Sequence, residues 1–464
     1  MSVKIQSGNA MHHALKTDVP SHWKIVPLEN VLEDVIGGGT PSKANPAYWV
    51  GPIPWLTVKD MRTRRPADSV DHITEAAVRD SSTNIIPPDT VIIATRVGLG
   101  KVIRVPYPAA INQDLKALIP KPDVDKSYLE YWIVSIANYL ESIGSGTTVK
   151  GIRLEQLRSL PFPLAPLNQQ KRIVSEIEKQ FSRLDEAVAG LKRVKANLKR
   201  YKAAVLKAAV VGNLTEQWRK EHHNVEPSSE LLKRILAERR ADGEKKYKEQ
   251  KGPDVDGLPE IPETWTWATL PQLGELNRGK SKHRPRNAPK LYGGPYPFIQ
   301  TGDVRHATGV ITEFTQTYSE EGLKQSRLWP KGTLCITIAA NIADTAILGI
   351  KACFPDSIVG FIPETKHTDV RFVEYFLRTA KENLERFAPA TAQRNINLEI
   401  LKDVAIPLPP EEEQRIIVSE IERRLSIAEE IEHSLDLTMQ RAERLRQAIL
   451  VKAFSGKLAP AASV

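Results

Sequence analysis

The chain has no run of ~18 apolar residues, so the sequence carries no candidate for a helix that would span a bilayer. It has only two cysteines, Cys335 and Cys353, too few for a zinc site or a disulfide framework and in keeping with a reducing compartment. Met1–Pro20 is polar, contains His12-His13 and lacks an apolar core, so it reads as a flexible leader and not as a signal peptide. His12-His13 and His222-His223 have no companions at metal-ligand spacing and are expected to be solvated. No Ser/His/Asp or Cys/His arrangement stands out.

Charge is what the chain does have. The net charge is +9, and it is unevenly spread: residues 166–220 hold 13 Lys/Arg against 5 Asp/Glu, while residues 405–464 hold 8 against 10. A basic chain with one strongly basic segment favours a polyanionic partner, nucleic acid first.

The second positive feature is a repeat. Pro163-Leu164 recurs as Pro407-Leu408, Ser175-Glu176-Ile177-Glu178 as Ser419-Glu420-Ile421-Glu422, and Gly212-x-Leu214 as Gly456-x-Leu458, all at one constant offset. Within each copy the apolar residues step mostly by threes and fours, the seam of a coiled coil. Ile173, Ile177, Phe181, Leu184, Val188, Leu191, Leu198, Tyr201 and Val205 carry it in the first copy. Ile417, Ile421, Leu425, Ala428, Leu435, Leu445 and Ile449 carry it in the second. Prolines 163 and 166 stop a helix upstream and Gly212 stops it downstream. Some forty helical residues span on the order of 60 Å. A stripe so narrow needs a partner, and the more acidic second copy supplies one. We therefore expect Ile173, Ile177, Phe181 and Leu184 on the first helix, and Ile417, Ile421 and Leu425 on the second, to mediate helix pairing.

The segments between are broken and β-rich. Ile53–Val58, Thr90–Ala94 and Val102–Val105 read as irregular strands, Ser127–Ile143 as a helix. From Pro262 this plan replays with divergent interiors: Pro262-x-x-Trp265 echoes Pro20-x-x-Trp23, and Phe372–Phe376 echoes Tyr128–Trp132. The expected fold class is α+β, with two similar globular domains and two long helices forming an antiparallel coiled coil, in an internal pseudo-two-fold repeat. The expected division is a leader 1–19, a globular domain 20–165, a spacer helix 166–218, a charged connector 219–261, a second globular domain 262–406 and a second spacer helix 407–460.

Three catalytic patterns are tempting. Gly274-Glu-Leu-Asn-Arg-Gly279-Lys280-Ser281 satisfies the phosphate-loop pattern, but Pro285 and Pro289 forbid the helix that should follow. It reads better as a basic loop facing phosphates of another molecule. Pro355-Asp356 with Glu364-x-Lys366 resembles a metal-nuclease set at loose spacing. Asn45-Pro-Ala-Tyr48 approaches an adenine methyltransferase loop, but Ala47 breaks it.

The duplicated Pro-Leu-Pro-Pro-Glu-Glu-Glu-Gln-Arg-Ile-Ile-Val-Ser-Glu-Ile-Glu (407–422) and its helix resemble the conserved regions of type I restriction–modification specificity subunits. Gly37–Lys43, Ile53–Met61 and Ile111–Asp114 are similar to that family's target recognition domains. Two departures exist: Asn168-Gln169 stands where an acidic residue usually precedes Gln, and the second globular region lacks the Gly-Gly-Thr-Pro-Ser loop. The resemblance implies a non-catalytic subunit of a prokaryotic cytoplasmic complex. Each recognition domain would read one half of a split, asymmetric site in double-stranded DNA. The helices would set the spacing and dock two modification subunits, which methylate adenine with S-adenosylmethionine; restriction subunits would supply ATP- and Mg²⁺-dependent translocation and cleavage. No cofactor is expected in this chain. The alternatives are a stand-alone nuclease or NTPase, and a coiled-coil assembly protein.

Base reading needs Arg, Lys, Asn and Gln on loops that reach groove edges, with phosphate contacts to hold register. In the first reader the expected DNA-binding residues are Thr40, Ser42, Lys43, Lys59, Arg62, Arg64, Arg65, Arg96, Lys101, Lys150 and Arg153. In the second they are Arg278, Lys280, Lys282, Arg284, Arg286, Arg305, Gln393 and Arg394. Asn112 and Gln113 are candidates for a structural role, closing a turn.

Overall fold

Two helices of equal length, Leu167–Val210 and Glu411–Phe454, organise the chain. The computed structural model describes residues 19–146, 150–241, 249–282, 285, 287–338, 344–363, 367–380 and 397–459. Each helix begins just after a proline and ends two residues before a glycine, Gly212 at φ +79° and Gly456 at φ +73°. A left-handed residue cannot continue a right-handed helix, so the backbone turns away there. The first helix therefore stops at Val210, short of the expected 218, and a separate short helix, Glu216–Glu221, follows. The second begins at Glu411, because Ala405–Leu408 is a strand.

The described chain divides into two units, residues 1–192 with 435–464, and residues 193–434. In the first unit a four-stranded antiparallel sheet runs in the order Leu32–Gly37, Leu115–Pro120, Val91–Ala94, Val102–Ile103. A second sheet orders Asp71–Ile73, Ile53–Leu56, Ala109–Ile111 and Ile85–Ile86, its two central strands parallel. The second unit has a five-stranded sheet: Gly274–Arg278, Ile358–Pro363, Leu334–Thr337, Thr345–Leu348, Val310–Ile311. A two-stranded ribbon links each domain's entry to its exit, Lys24–Pro27 with Pro161–Leu164 and Thr266–Thr269 with Ala405–Leu408.

The helix segments pair within each unit. In the first, Ile173, Ile177 and Phe181 are buried with Ile449, Leu450 and Ala453, and Arg446 forms an ion pair with Asp185. In the second, Ile417 and Ile421 are buried with Val205 and Ala209, and Lys202 reaches Glu432 at 2.8 Å. Leu184 and Leu425 are partly buried against these clusters. The same faces also pack on the globular domains: Phe181 meets Tyr131 edge-on at 5.8 Å, and Trp265 and Phe372 share the Ile417 cluster. Near the helix ends the buried stripe is thus wider than a coiled-coil seam. Tyr201 and Leu445, expected on the seam, are 42% and 50% exposed. Val194, Ile427, Ile431 and Leu437 are exposed as well.

Within the expected charged connector, where Leu231–Leu236 suggests only a helical turn or two, the structure has a 14-residue helix, Ser228–Ala241. Leu231 and Ile235 on it are fully buried with Leu270 and Leu273, and Arg239 donates to the carbonyls of Pro271, Gln272 and Gly274. Spacing of four between two apolar residues was enough to anchor it.

The junction at each helix start is duplicated atom for atom. Gln170 Oε1 accepts the Asp125 N–H at 2.8 Å, and its Nε2 donates to Asp123 O and Ala165 O at 3.0 and 2.8 Å. Gln414 does the same with Asp369 N–H, His367 O and Pro409 O at 2.8, 3.1 and 3.0 Å. Both side chains are almost completely buried. One residue earlier the copies differ in charge. Gln169 accepts from the Trp23 indole at 2.9 Å, whereas its counterpart Glu413 accepts from Trp265, Thr215 and Arg219 at 2.8, 2.6 and 2.6 Å. Arg219 neutralises the buried acid, and a neutral glutamine needs no such partner. Each helix exit likewise meets a domain entry: a methyl on Gly212 would lie 2.5 Å from Pro262, and one on Gly456 would lie 2.3 Å from Pro20.

Replacing Gln170 or Gln414 with alanine leaves a helix-capping backbone N–H and two carbonyls buried without partners. We expect a loss of about 2 kcal/mol for each single variant, measured by urea unfolding. Wild-type midpoints in both variants would show that the junction does not secure the fold.

Candidate nucleic-acid interface

Three sequence motifs far apart in the chain meet at one surface in the first unit. The loop after Leu32–Gly37, the turn after Ile53–Leu56 and the turn after Ala109–Ile111 together line a cleft of about 700 Å³. Thr40, Lys43, Lys59 and Gln113 face it, with Trp49 and Trp55 as apolar wall. The rings of Trp49 and Trp55 meet edge-on at 5.0 Å, and the Trp55 indole donates to Gly39 O at 3.1 Å. Glycine is required at 38 and 39 because of this approach. A methyl on Gly38 would fall 1.9 Å from Ile111 O, and one on Gly39 2.2 Å from Ser82 Oγ. Asn112 is buried and structural: its Oδ1 accepts from the Asp114 N–H at 3.2 Å, closing the turn. Gln113 is outside that turn's bonding, accepting instead from the Thr40 hydroxyl at 2.5 Å.

The other expected residues divide into two groups. Ser42, Lys43, Lys59, Arg62, Lys101, Lys150 and Arg153 are exposed. Lys101 lies against the turn at Gly98, next to Val58 of the cleft. An antiparallel bridge between Arg96 and Gly151 brings Lys150 and Arg153 alongside Arg96, whose guanidinium is 3.6 Å from Asp114. Arg64 and Arg65 are drawn elsewhere. Arg65 makes a two-pronged bond to the fully buried Glu130, at 2.7 and 2.6 Å, and Arg104 Nε lies 2.8 Å from the same carboxylate. Arg64 stacks on Tyr131 with its guanidinium carbon 4.9 Å from the ring centre. Both arginines pair with a buried acid while their side chains stay 40% and 47% exposed; loop placement in the sequence could not reveal that partner.

Two contributors escaped the sequence reading. Val97 lines the cleft with φ +46°, a backbone state that a branched residue adopts only under constraint. Lys116 sits beneath the Gln113 turn and donates to Gln113 O at 3.2 Å; burial pushes its ammonium pKa down. The dipeptide Val97-Gly98 was the signal available for the first; nothing in the sequence signalled the second.

In the second unit, strand register makes Gly279 the equivalent of Gly38. A methyl on Gly279 would lie 2.3 Å from Pro355 O, in the same relation to a turn. The geometry agrees with setting the phosphate-loop pattern aside, and it makes the first five residues of the pattern a strand where a basic loop was expected. Gly274–Arg278 is an edge strand paired with Ile358–Pro363, and Gly279 is a packing glycine, so no loop wraps a phosphate. Arg278 Nε donates to Asp356 O at 2.9 Å, and Lys280 and Lys282 are exposed just beyond. Arg305 is exposed at the end of the helix Thr301–His306. Arg284, Arg286, Gln393 and Arg394, as well as Glu364 and Lys366 of the nuclease-like pattern, lie outside the described residues. Among the described residues no three His, Cys, Asp or Glu side chains gather as a metal site, and no helix is long and apolar enough to cross a membrane.

A pair of dissimilar globular domains on a duplicated helical frame defines a class, and sequence and structure comparisons agree on it. The family model of the type I restriction modification DNA specificity domain matches residues 20–198 and 262–436. The chain belongs to that family. It is 36% identical over 164 residues to the EcoR124I/EcoR124II specificity subunit of Escherichia coli, a match covering 34% of this chain and 41% of that one. Against this relative the chain spans about two fifths of its length. Over 464 residues it is 23% identical to the EcoKI specificity subunit of E. coli strain K12, covering 95% of this chain and 90% of the relative. Two solved structures share the fold. One is the HsdS subunit of Thermoanaerobacter tengcongensis (TM-score 0.57, 18% identity, 95% of this chain and 99% of that one). The other comes from work on assembly and conformational transition of the type I R-M system (TM-score 0.64, 19% identity, 95% and 100%).

Arg65→Ala should act on stability and Lys43→Ala on binding. Leaving Glu130 buried with one arginine fewer should cost on the order of 2 kcal/mol, read by thermal unfolding. Lys43→Ala should unfold like the wild type while lowering the salt dependence of DNA binding by about one counterion. Unfolding unchanged by Arg65→Ala would return that residue to the list of DNA contacts.

Proposed function

We propose that this chain is the DNA-specificity subunit of a type I restriction–modification enzyme, with no catalytic role of its own. The observation that carries this reading is the convergence of Gly37–Lys43, Ile53–Met61 and Ile111–Asp114 on one cleft that presents cations, amides and hydroxyls beside an aromatic wall, with the carboxylates of Asp71 and Asp114 also on its lining. That chemistry suits base edges and phosphates: lysines hold the backbone while glutamine and threonine discriminate among bases.

In the first reader Thr40, Lys43, Lys59 and Gln113 contact DNA, with Ser42, Arg62, Arg96, Lys101, Lys150 and Arg153 around them. In the second, Arg278, Lys280, Lys282 and Arg305 take this role, joined by Arg284, Arg286, Gln393 and Arg394. Because the two surfaces differ in sequence and in loop structure, they read different half-sites, which makes the whole target asymmetric. The long helices act as a ruler for the gap between the halves. Their exposed apolar residues, Val194, Ile427, Ile431 and Leu437, are the docking surface for two adenine methyltransferase subunits. S-adenosylmethionine, ATP and Mg²⁺ belong to those and to the restriction subunits. The complex works in the prokaryotic cytoplasm.

Selection from a random DNA pool, with the methylating partner present, should enrich one bipartite motif. Inserting one heptad into each long helix should change the gap and leave both half-sites as they were. Enrichment of no motif would remove the DNA-reading role, and an unaltered gap would remove the ruler.

A further inference from the structure

The buried acid of the first unit has a counterpart that lacks its arginines. Glu130 and Glu374 occupy equivalent positions on the helices Lys126–Ser135 and Val370–Ala380, and both are buried, Glu374 being 3% exposed. In the first unit the Arg104 N–H bonds to Arg64 O at 3.1 Å; in the second the Ile347 N–H bonds to Gly309 O at 2.8 Å. That shared bond, with the matching register of the neighbouring strands, equates Arg64, Arg65 and Arg104 with Gly309, Val310 and Ile347. Three guanidinium groups have been replaced by a glycine and two aliphatic side chains.

Where the guanidinium groups would sit there is a cavity of about 530 Å³ whose walls include Gly309, Val310, Ile347, Glu374, Tyr375 and Leu425; the cations Lys202, Arg305, Arg371 and Arg378 and the acids Glu422 and Glu429 line it as well. Tyr375 and Leu425 are the counterparts of Tyr131 and Phe181, the rings that flank Arg64 in the first unit. Glu374 Oε1 has no hydrogen-bond partner among the described residues. The nearest cation, Arg378 on the same helix, comes only to 3.7 Å from it, and the neighbouring Arg371 is held by Glu422. Desolvation pushes the Glu374 carboxyl up to about 7, only partly opposed by Arg378 and Arg371. A buried carboxylate without a bonded donor is costly, and a planar fork of N–H groups answers it best.

We infer that the cavity in front of Glu374 is a binding site for a guanidinium group, supplied by an arginine of a partner subunit or by a small alkylguanidine. The ligand's planar end bonds Glu374 as Arg65 bonds Glu130, and its alkyl stem lies along Val310 and Ile347. The first half of the chain carries its own plug; the second half leaves the seat open.

The test uses the full chain and agmatine, followed by calorimetric titration. Agmatine should bind the wild type at least tenfold more tightly than it binds Glu374→Gln. Val310→Arg, which restores the counterpart of Arg65, should abolish agmatine binding and unfold at or above the wild-type temperature. Equal agmatine affinity in wild type and Glu374→Gln would overturn the site, as would retained binding in Val310→Arg. A second arm measures association with the modification subunit, and it alone rests on the proposed function. Weakened association in Val310→Arg would support a partner's arginine as the occupant, and unchanged association with agmatine binding abolished would support a small molecule.

Discussion

The buried glutamine at the start of each long helix is the contact on which the architecture depends. Gln170 and Gln414 each tie three backbone groups together: the cap of the domain's main helix, the loop before it and the residue just after the entry–exit ribbon. An amide suits this place because it offers donor and acceptor from one neutral group, and no charge has to be desolvated. The hydrogen bonds set the direction in which the helix leaves its domain, and the glycine at the far end sets where it stops. Between these two points the helix needs only a continuous apolar stripe.

Around this conserved geometry the two halves vary in how they balance charge. Gln169 faces Trp23 without a cation, while Glu413 at the equivalent place needs Arg219. Glu130 is enclosed by Arg65 and Arg104, while Glu374 faces a cavity. Backbone geometry is preserved because one displaced carbonyl would disrupt the junction. Side-chain charge differs between the halves without moving the backbone, so the duplicated frame tolerates divergent globular domains.

Most of the frame was legible in the sequence. Steps of three and four around Ile173–Leu184 and Ile417–Leu425, with prolines before and glycines after, specify paired helices through local rules alone. The fold of the readers was less legible. Their strands are two to seven residues long and pair across large separations, as with Ile53–Leu56 and Ala109–Ile111. Seam positions such as Tyr201 and Leu445 were misassigned because the half-buried places beside them belong to the charged residues Lys202 and Arg446, which pair with Glu432 and Asp185 across the helices. The helix Ser228–Ala241 was underestimated because charged residues outnumber the two that anchor it.

By itself the sequence determined the duplication, the helical frame, the family and the three motifs that converge on the first cleft. Each of these is written in local spacing or in residues close along the chain. Only the tertiary structure decided which cations are available. Lys43 and Lys59 open onto the cleft, while Arg64 and Arg65, a few residues on, pair with the buried Glu130 and the Tyr131 ring. The tertiary structure also turned an expected basic loop into an edge strand with a packing glycine, and left Glu374 on a cavity without the arginines that bond Glu130. The physical reason is common to all three: a charge or a glycine takes its role from what lies within a few ångströms of it, and those neighbours come from strands and helices tens to hundreds of residues away.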